Sequence, residues 1–149
     1  MKKQEKDYNI FDWWKKVVLE NYANFKGRAR RKEYWSFQLV NLLILIIPYG
    51  IVLATVMSGE QPGLMIGLLS FVVIAFALGT LIPSLAVIVR RLHDRDRSGW
   101  FYFISFIPLI GGFWILYEFF SVGSIGKNNY GNDPKIPHNE LSEIGVPQE

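Results

Sequence analysis

The stretch Gly63–Val89, GLMIGLLSFVVIAFALGTLIPSLAVIV, runs for 27 residues without a charged side chain. A helix rises about 1.5 Å per residue, so the stretch reaches about 40 Å, more than the roughly 30 Å of bilayer hydrocarbon. Its centre, LLSFVVIAFALG, is apolar around the whole circumference, whereas a helix on a soluble protein keeps a polar stripe. Two similar windows flank it. Trp35–Met57 has 23 residues and no charge, and Trp100–Phe120 has 21 with only Glu118. The three windows hold 71 of the 149 residues and leave 78 to cover them, too few for a soluble helical bundle. The sequence therefore predicts an all-α integral membrane protein with three transmembrane helices, over about 35–57, 63–89 and 100–120, in a membrane domain from 26 to 120.

Lysine and arginine set the orientation. Ten of the sixteen precede the first window, four lie in Arg90–Gly99, two lie in the tail, and none lies in Ser58–Pro62. Positive charge stays cytoplasmic, so the N-terminus and the Arg90 loop are expected inside and Ser58–Pro62 outside. Three spans would then put the tail outside. The first apolar run starts behind a long charged segment and is too long for the core of a signal peptide, so it is expected to stay as an anchor. No cysteine is present, which removes disulfides, thiolate metal sites and a cysteine nucleophile. The pI of about 9.2 suggests nucleic acid. The aromatics among the basic residues lie at span edges, where lipid explains them, so no nucleic-acid partner is expected.

Residues 1–9 are expected to be disordered, and Ile10–Phe25 to form an amphipathic helix lying in the cytoplasmic interface. At 100° per residue Ile10, Phe11, Trp14, Val17, Val18, Tyr22 and Phe25 share one side. The other reading of this helix is docking on the protein's own loops. Pro48, Pro83 and Pro108 interrupt the spans, and each removes a backbone hydrogen bond. The third window, with Pro108, Gly111 and Gly112, is expected as one kinked span. The alternative is a re-entrant hairpin of two short arms, which would return the tail to the cytoplasm. Gly59, Gly63 and Gly67 recur at every fourth position, a spacing that lets helices approach closely. Packing within the chain is the expectation, with self-association as the alternative. Gln38 with Asn41, and Thr80 with Ser84, are expected to form hydrogen bonds between spans. Residues 121–149 read as a polar tail with turns near Tyr130–Pro134.

Both cytoplasmic junctions pack arginines against a span and end in tryptophan: FKGRARRKEYW at Phe25–Trp35 and RRLHDRDRSGW at Arg90–Trp100. Indoles favour the headgroup level, and arginines there attract anionic lipid. Together with IPLIGG at 107–112 and NNYGNDP at 128–134, these junctions resemble the YhaH/YhaI-like bacterial inner-membrane protein family, domain of unknown function 805. The resemblance covers roughly Phe25 to Pro134. It implies a small polytopic protein of the bacterial cytoplasmic membrane, and no activity, substrate or catalytic residue.

His93 and Asp94 raise two catalytic possibilities, and neither is supported. A metal centre wants three or four ligands, and the only other histidine, His138, falls in the tail. Ser98, His93 and Asp94 are too close in sequence for a catalytic triad. No catalytic residue, metal or cofactor is expected, and Asp94 is expected to pair with Arg90 and Arg97 along one helix face. The chain reads as a non-enzymatic interaction or accessory protein. Its candidate site for an anionic headgroup or acidic partner comprises Arg28, Arg31, Arg90, Arg91, His93, Asp94 and Arg97. Trp13, Trp14, Trp35 and Trp100 are the expected interfacial anchors. Membrane lipids are the expected partners, with a homo-oligomer or another membrane protein as further candidates. A small transporter or oligomeric pore subunit is the alternative function, and a lipid-modifying enzyme acting through His93 and Asp94 comes third.

Overall fold

The computed structural model describes residues 5–59 and 63–135, so residues 60–62 of the expected outer connection and residues 136–149 of the tail, with His138, lie outside it. The elements are α1 (Ile10–Lys15), α2 (Arg31–Met57), α3 (Leu64–Asp94) and α4 (Gly111–Phe120), with 3-10 segments at Glu5–Asp7 and Gly99–Phe106. Among the described residues α2 and α3 are the two helices long and apolar enough to cross a membrane. At 27 and 31 residues they extend about 40 and 46 Å. The chain divides into two compact units, residues 1–23 with 35–85 and residues 24–34 with 86–149.

In the first unit the N-terminal segment is ordered by local polar contacts. Asn9 caps α1 by accepting from the Asp12 N–H, and Asp12 accepts in turn from the Asn9 N–H, a reciprocal box that satisfies two free helix-start donors. Glu5, in the region expected to be disordered, binds Lys16 at 2.6 Å. Lys16 also lies 5.2 Å from the Trp13 ring centroid. The helix expected to reach Phe25 loosens into a π turn at Lys16–Glu20 and stops at Asn21, whose N–H closes onto the Lys16 carbonyl. Its buried side chains are Trp13 and Val17, while Phe11 and Leu19 face outward. Trp13 is thus a core residue and not an interfacial anchor. The Trp14 indole N–H donates to Asn41 at 2.9 Å.

Proline at position 83 cannot donate to the Gly79 carbonyl one turn earlier. The Tyr22 hydroxyl donates to that carbonyl at 2.7 Å, supplying the bond that the proline removes. Expected bonds between spans resolve differently: Thr80 and Ser84 donate to carbonyls of their own helix. Nor do Gly59, Gly63 and Gly67 meet a close neighbour among the described residues, because a Cβ built on each would find nothing within 4 Å. The described residues therefore do not provide the expected in-chain packing at these glycines. Many apolar side chains of both long helices, among them Leu43, Ile47, Phe71 and Leu78, are exposed, as hydrocarbon requires and water disfavours.

The second unit overturns the single kinked span. Ser98 caps the 3-10 arm Gly99–Phe106, a turn follows, and α4 packs back against that arm. Three residues cause the reversal. Pro108 has no N–H for a continuing helix, Leu109 takes a left-handed φ of 67°, and Gly111 lies against the Ile104 carbonyl where a Cβ would collide. Both ends of this hairpin meet the same end of α3. A Cβ on Gly99 would come 2.9 Å from Val89 Cγ1, and the Arg91 Nε–H donates to the Phe119 carbonyl at 3.3 Å.

Candidate functional site

The last turn of α3 carries Arg90, Arg91, His93 and Asp94, and helix geometry sends these side chains in different directions. Asp94 is buried and gathers two arginines. Arg28 Nε donates to Asp94 Oδ1 at 3.0 Å with Nη2 at 2.9 Å, and Arg91 Nη1 donates to Oδ2. The Arg28 side chain reaches inward from a loop that turns at Gly27, whose φ of 80° favours glycine. That loop is held on α3 by the Ala29 N–H, which donates to the Arg90 carbonyl at 3.0 Å. On the neighbouring face Arg90 Nη1 donates to Glu33 at 2.5 Å. Arg90 Nε and Nη2 are also buried, with no hydrogen-bonding partner among the described residues.

The tail supplies the remaining partners. Arg28 Nη1 donates to the Gly126 carbonyl at 2.6 Å and Nη2 to the Ser124 carbonyl. The helix end is capped in return. The Ser124 N–H donates to the Asp94 carbonyl at 2.8 Å, and Asn128 Nδ2 donates to the His93 carbonyl at 2.8 Å. Backbone carbonyls in the last turn of a helix lack helical donors, so the tail completes α3. His93 stacks flat on Tyr130, with centroids 3.9 Å apart, and its Nδ1 lies 3.1 Å from the Gly27 carbonyl. Asp96, at a φ of 57°, accepts from the backbone and side chain of Asn129. Gly123 is required here because a Cβ would strike the Asp94 carboxylate.

Arginines also cap the other helix end. Arg31 donates to the Phe120 carbonyl at 3.1 Å, Arg91 to the carbonyls of Phe119 and Ser121, and Arg95 to that of Val122. Cations suit the C-terminus of a helix, where the backbone dipole ends negative. Glu118 is buried beneath them and pairs with Arg95 at 3.0 Å and Arg97 at 3.7 Å.

Several sequence-based expectations change. The two junctions do come together, but Arg28, Arg90 and Arg91 are buried and engaged by Asp94, Glu33 and chain carbonyls. They do not form an open cationic surface. Asp94 pairs with Arg91 and Arg28 and not with Arg90 or Arg97. The beginning of the tail bonds directly to the Arg90 loop, Ser124 donating to the Asp94 carbonyl and Asn129 to the Asp96 carboxylate. Arg31 and Arg97 remain exposed, as does Trp100, while Trp35 is half-buried. Glu33, Arg95 and Asn128 are the members that sequence reasoning left out. The signal for Glu33 was its position as the only carboxylate in a basic junction, since a buried arginine requires a compensating charge. Among the described residues no three histidine or carboxylate side chains converge as metal ligands would.

The family profile described as protein of unknown function (DUF805) matches residues 22–132. Inner membrane protein YhaI of Escherichia coli K12 is 42% identical over 126 residues, covering 85% of this chain and 98% of the relative. Inner membrane protein YhaH of the same strain is 41% identical over 127 residues, covering 84% and 98%. Uncharacterized protein YiiR is 32% identical over 99 residues, covering 62% of this chain and 58% of the relative. No solved structure matches the chain. The matched residues include both basic junctions and the tail as far as Asn132, which are the segments that the buried charges tie together.

Proposed function

Since the chain belongs to the DUF805 family of proteins of unknown function, we propose a non-enzymatic accessory protein of the bacterial inner membrane that holds anionic lipid headgroups. Two helices, α2 and α3, span the bilayer in this reading. The N-terminus, the Arg90 loop and the tail lie on the cytoplasmic face, and the Ile10–Glu20 segment rests at the interface. The relatives' names support the membrane, and the positive-inside bias supports the orientation.

One observation carries the headgroup assignment. In the second unit the described residues include eleven Lys or Arg against five Asp or Glu, an excess of six positive charges. The buried arginines are compensated internally, so the excess is left on exposed side chains such as Arg31, Lys32 and Arg97. Arginine and lysine there gain charge-assisted hydrogen bonds to phosphate oxygens, and each basic residue near an anionic surface contributes about 1 kcal/mol. The non-enzymatic part rests on the state of the candidate acid and base. Asp94 is occupied by two arginines, and the His93 ring is flat against Tyr130 with one nitrogen on a backbone carbonyl.

The test is thermal stability in nanodiscs of phosphatidylglycerol against phosphatidylcholine. Wild-type protein should be more stable in the anionic lipid by a margin that shrinks with salt. The Arg31→Gln/Lys32→Gln/Arg97→Gln variant should lose that margin, and its retention would overturn the assignment. A second reading, an oligomeric pore or transporter subunit, is favoured by the open space beside Gly63 and Gly67 at the start of α3. It requires a defined oligomer, and a monomer in mild detergent would count against it.

A further inference from the structure

We propose that the Gly99–Phe120 hairpin is a half-membrane wedge, covered by the acyl chains of the leaflet on the Arg90 side. Its dimensions fit one leaflet. The 3-10 arm has 8 residues and α4 has 10, which at about 2.0 and 1.5 Å per residue gives about 16 and 15 Å. Each is half of the roughly 30 Å hydrocarbon layer. Two arms of equal reach place the tip at the bilayer centre and bring the chain back to its starting face.

The chemistry changes along the arms in the same way. At the base lie Arg97, Ser98, the buried Glu118 and Ser121, together with Trp100, which is 78% exposed. Tryptophan favours the headgroup level. Above the base no charged residue occurs, and Phe103, Phe106, Leu109, Ile110, Phe113 and Trp114 are all exposed. Exposed residues sweep about half of the α4 circumference at 100° per residue, and further exposed rings lie on the other arm. A flat partner would cover one side of such a tip, whereas hydrocarbon covers all of it. An apolar groove of about 450 Å³ between Leu109, Ile110, Phe113, Trp114 and Tyr117 gives an acyl chain a place to lie.

Part of the tip's backbone is paired within the turn itself. Irregular backbone is costly in hydrocarbon because each unpaired polar group loses its hydration. Here Ile107 donates to Ile104, Ile110 to Pro108 and Gly111 to Ile107, and Pro108 has no N–H to satisfy. The turn thereby closes the Ile107, Ile110 and Gly111 donors within itself.

The chain has no native cysteine, so labels can be placed singly. A spin label on Leu109→Cys, in vesicles of phosphatidylglycerol and phosphatidylcholine, should be accessible to oxygen and lose access to a water-soluble nickel chelate. Leu109 is 90% exposed, so the substitution costs no core packing. Labels on Trp100→Cys/Phe120→Cys should broaden each other strongly, because Gly99 and Phe119 meet α3 two residues apart. A segment that crossed the bilayer would separate them by roughly 30 Å. Weak broadening overturns the hairpin, and nickel access at position 109 overturns its burial in lipid. Intermolecular broadening at position 109, relieved by dilution with unlabelled protein, would assign the tip to a second copy and overturn the lipid occupant. The wedge does not depend on the headgroup reading, since a lost lipid preference would leave both label measurements unchanged.

Discussion

Replacing Asp94 with asparagine keeps the shape of the side chain and removes the one charge shared by two buried arginines. Asp94 accepts from Arg28 Nε at 3.0 Å, from Arg28 Nη2 at 2.9 Å and from Arg91 Nη1. Breaking a buried ion pair by removing one partner costs about 3–5 kcal/mol. The lower end applies here. Arg28 keeps the carbonyls of Ser124 and Gly126, and Arg91 keeps those of Phe119 and Ser121, so neither guanidinium is stranded. An expected loss of about 3 kcal/mol corresponds to a fall in Tm of roughly 6–12 °C, at about 2–4 °C per kcal/mol for a chain of this size. The assay is thermal unfolding in detergent, with Asp96→Asn as the control. Asp96 is exposed and its partner is the neutral Asn129, so the control should shift Tm little. If the Asp94 variant melts within about 2 °C of the control, the buried pairs do not hold the unit together and the reasoning fails.

Two further perturbations address other joints in the fold. Gly111→Ala should spread the hairpin arms and destabilise it by about 1–3 kcal/mol, as overpacking does, whereas Gly112→Ala, with open space around its Cβ, should be neutral or slightly stabilising; paired melting curves read the contrast. Tyr22→Phe should cost about 1 kcal/mol in a wild-type background and less in Pro83→Ala, where a backbone N–H again serves the Gly79 carbonyl; a double-mutant cycle reads the coupling.

The two long helices were legible because hydrophobic length is a local property, and nothing distant had to be known. The meeting of the basic junctions was legible too, from charge asymmetry. Which arginines would be buried was not, because their partners are distant in sequence: Arg28 is paired with residue 94 and capped by carbonyls near residue 125. The break in the third window was visible in Pro108, Gly111 and Gly112, yet a kink and a reversal use the same residues. Only the left-handed Leu109 and the contact of Gly111 with Ile104 decide between them. Similarly, a stripe drawn at 100° per residue named Trp14 as a face residue and missed Trp13. Lys16–Glu20 forms a π turn, and burial of Trp13 is set by its neighbours Tyr8 and Lys16.

The central claim is that the Arg90 loop and the start of the tail share one face, clasped by Asp94 and its arginines. Single cysteines at Arg97 and Ile125, both exposed, test it in right-side-out and inverted membrane vesicles with an impermeant maleimide. Both positions should react in inverted vesicles and neither in right-side-out ones. Reaction of Ile125→Cys from the outside while Arg97→Cys reacts from the inside would contradict the account.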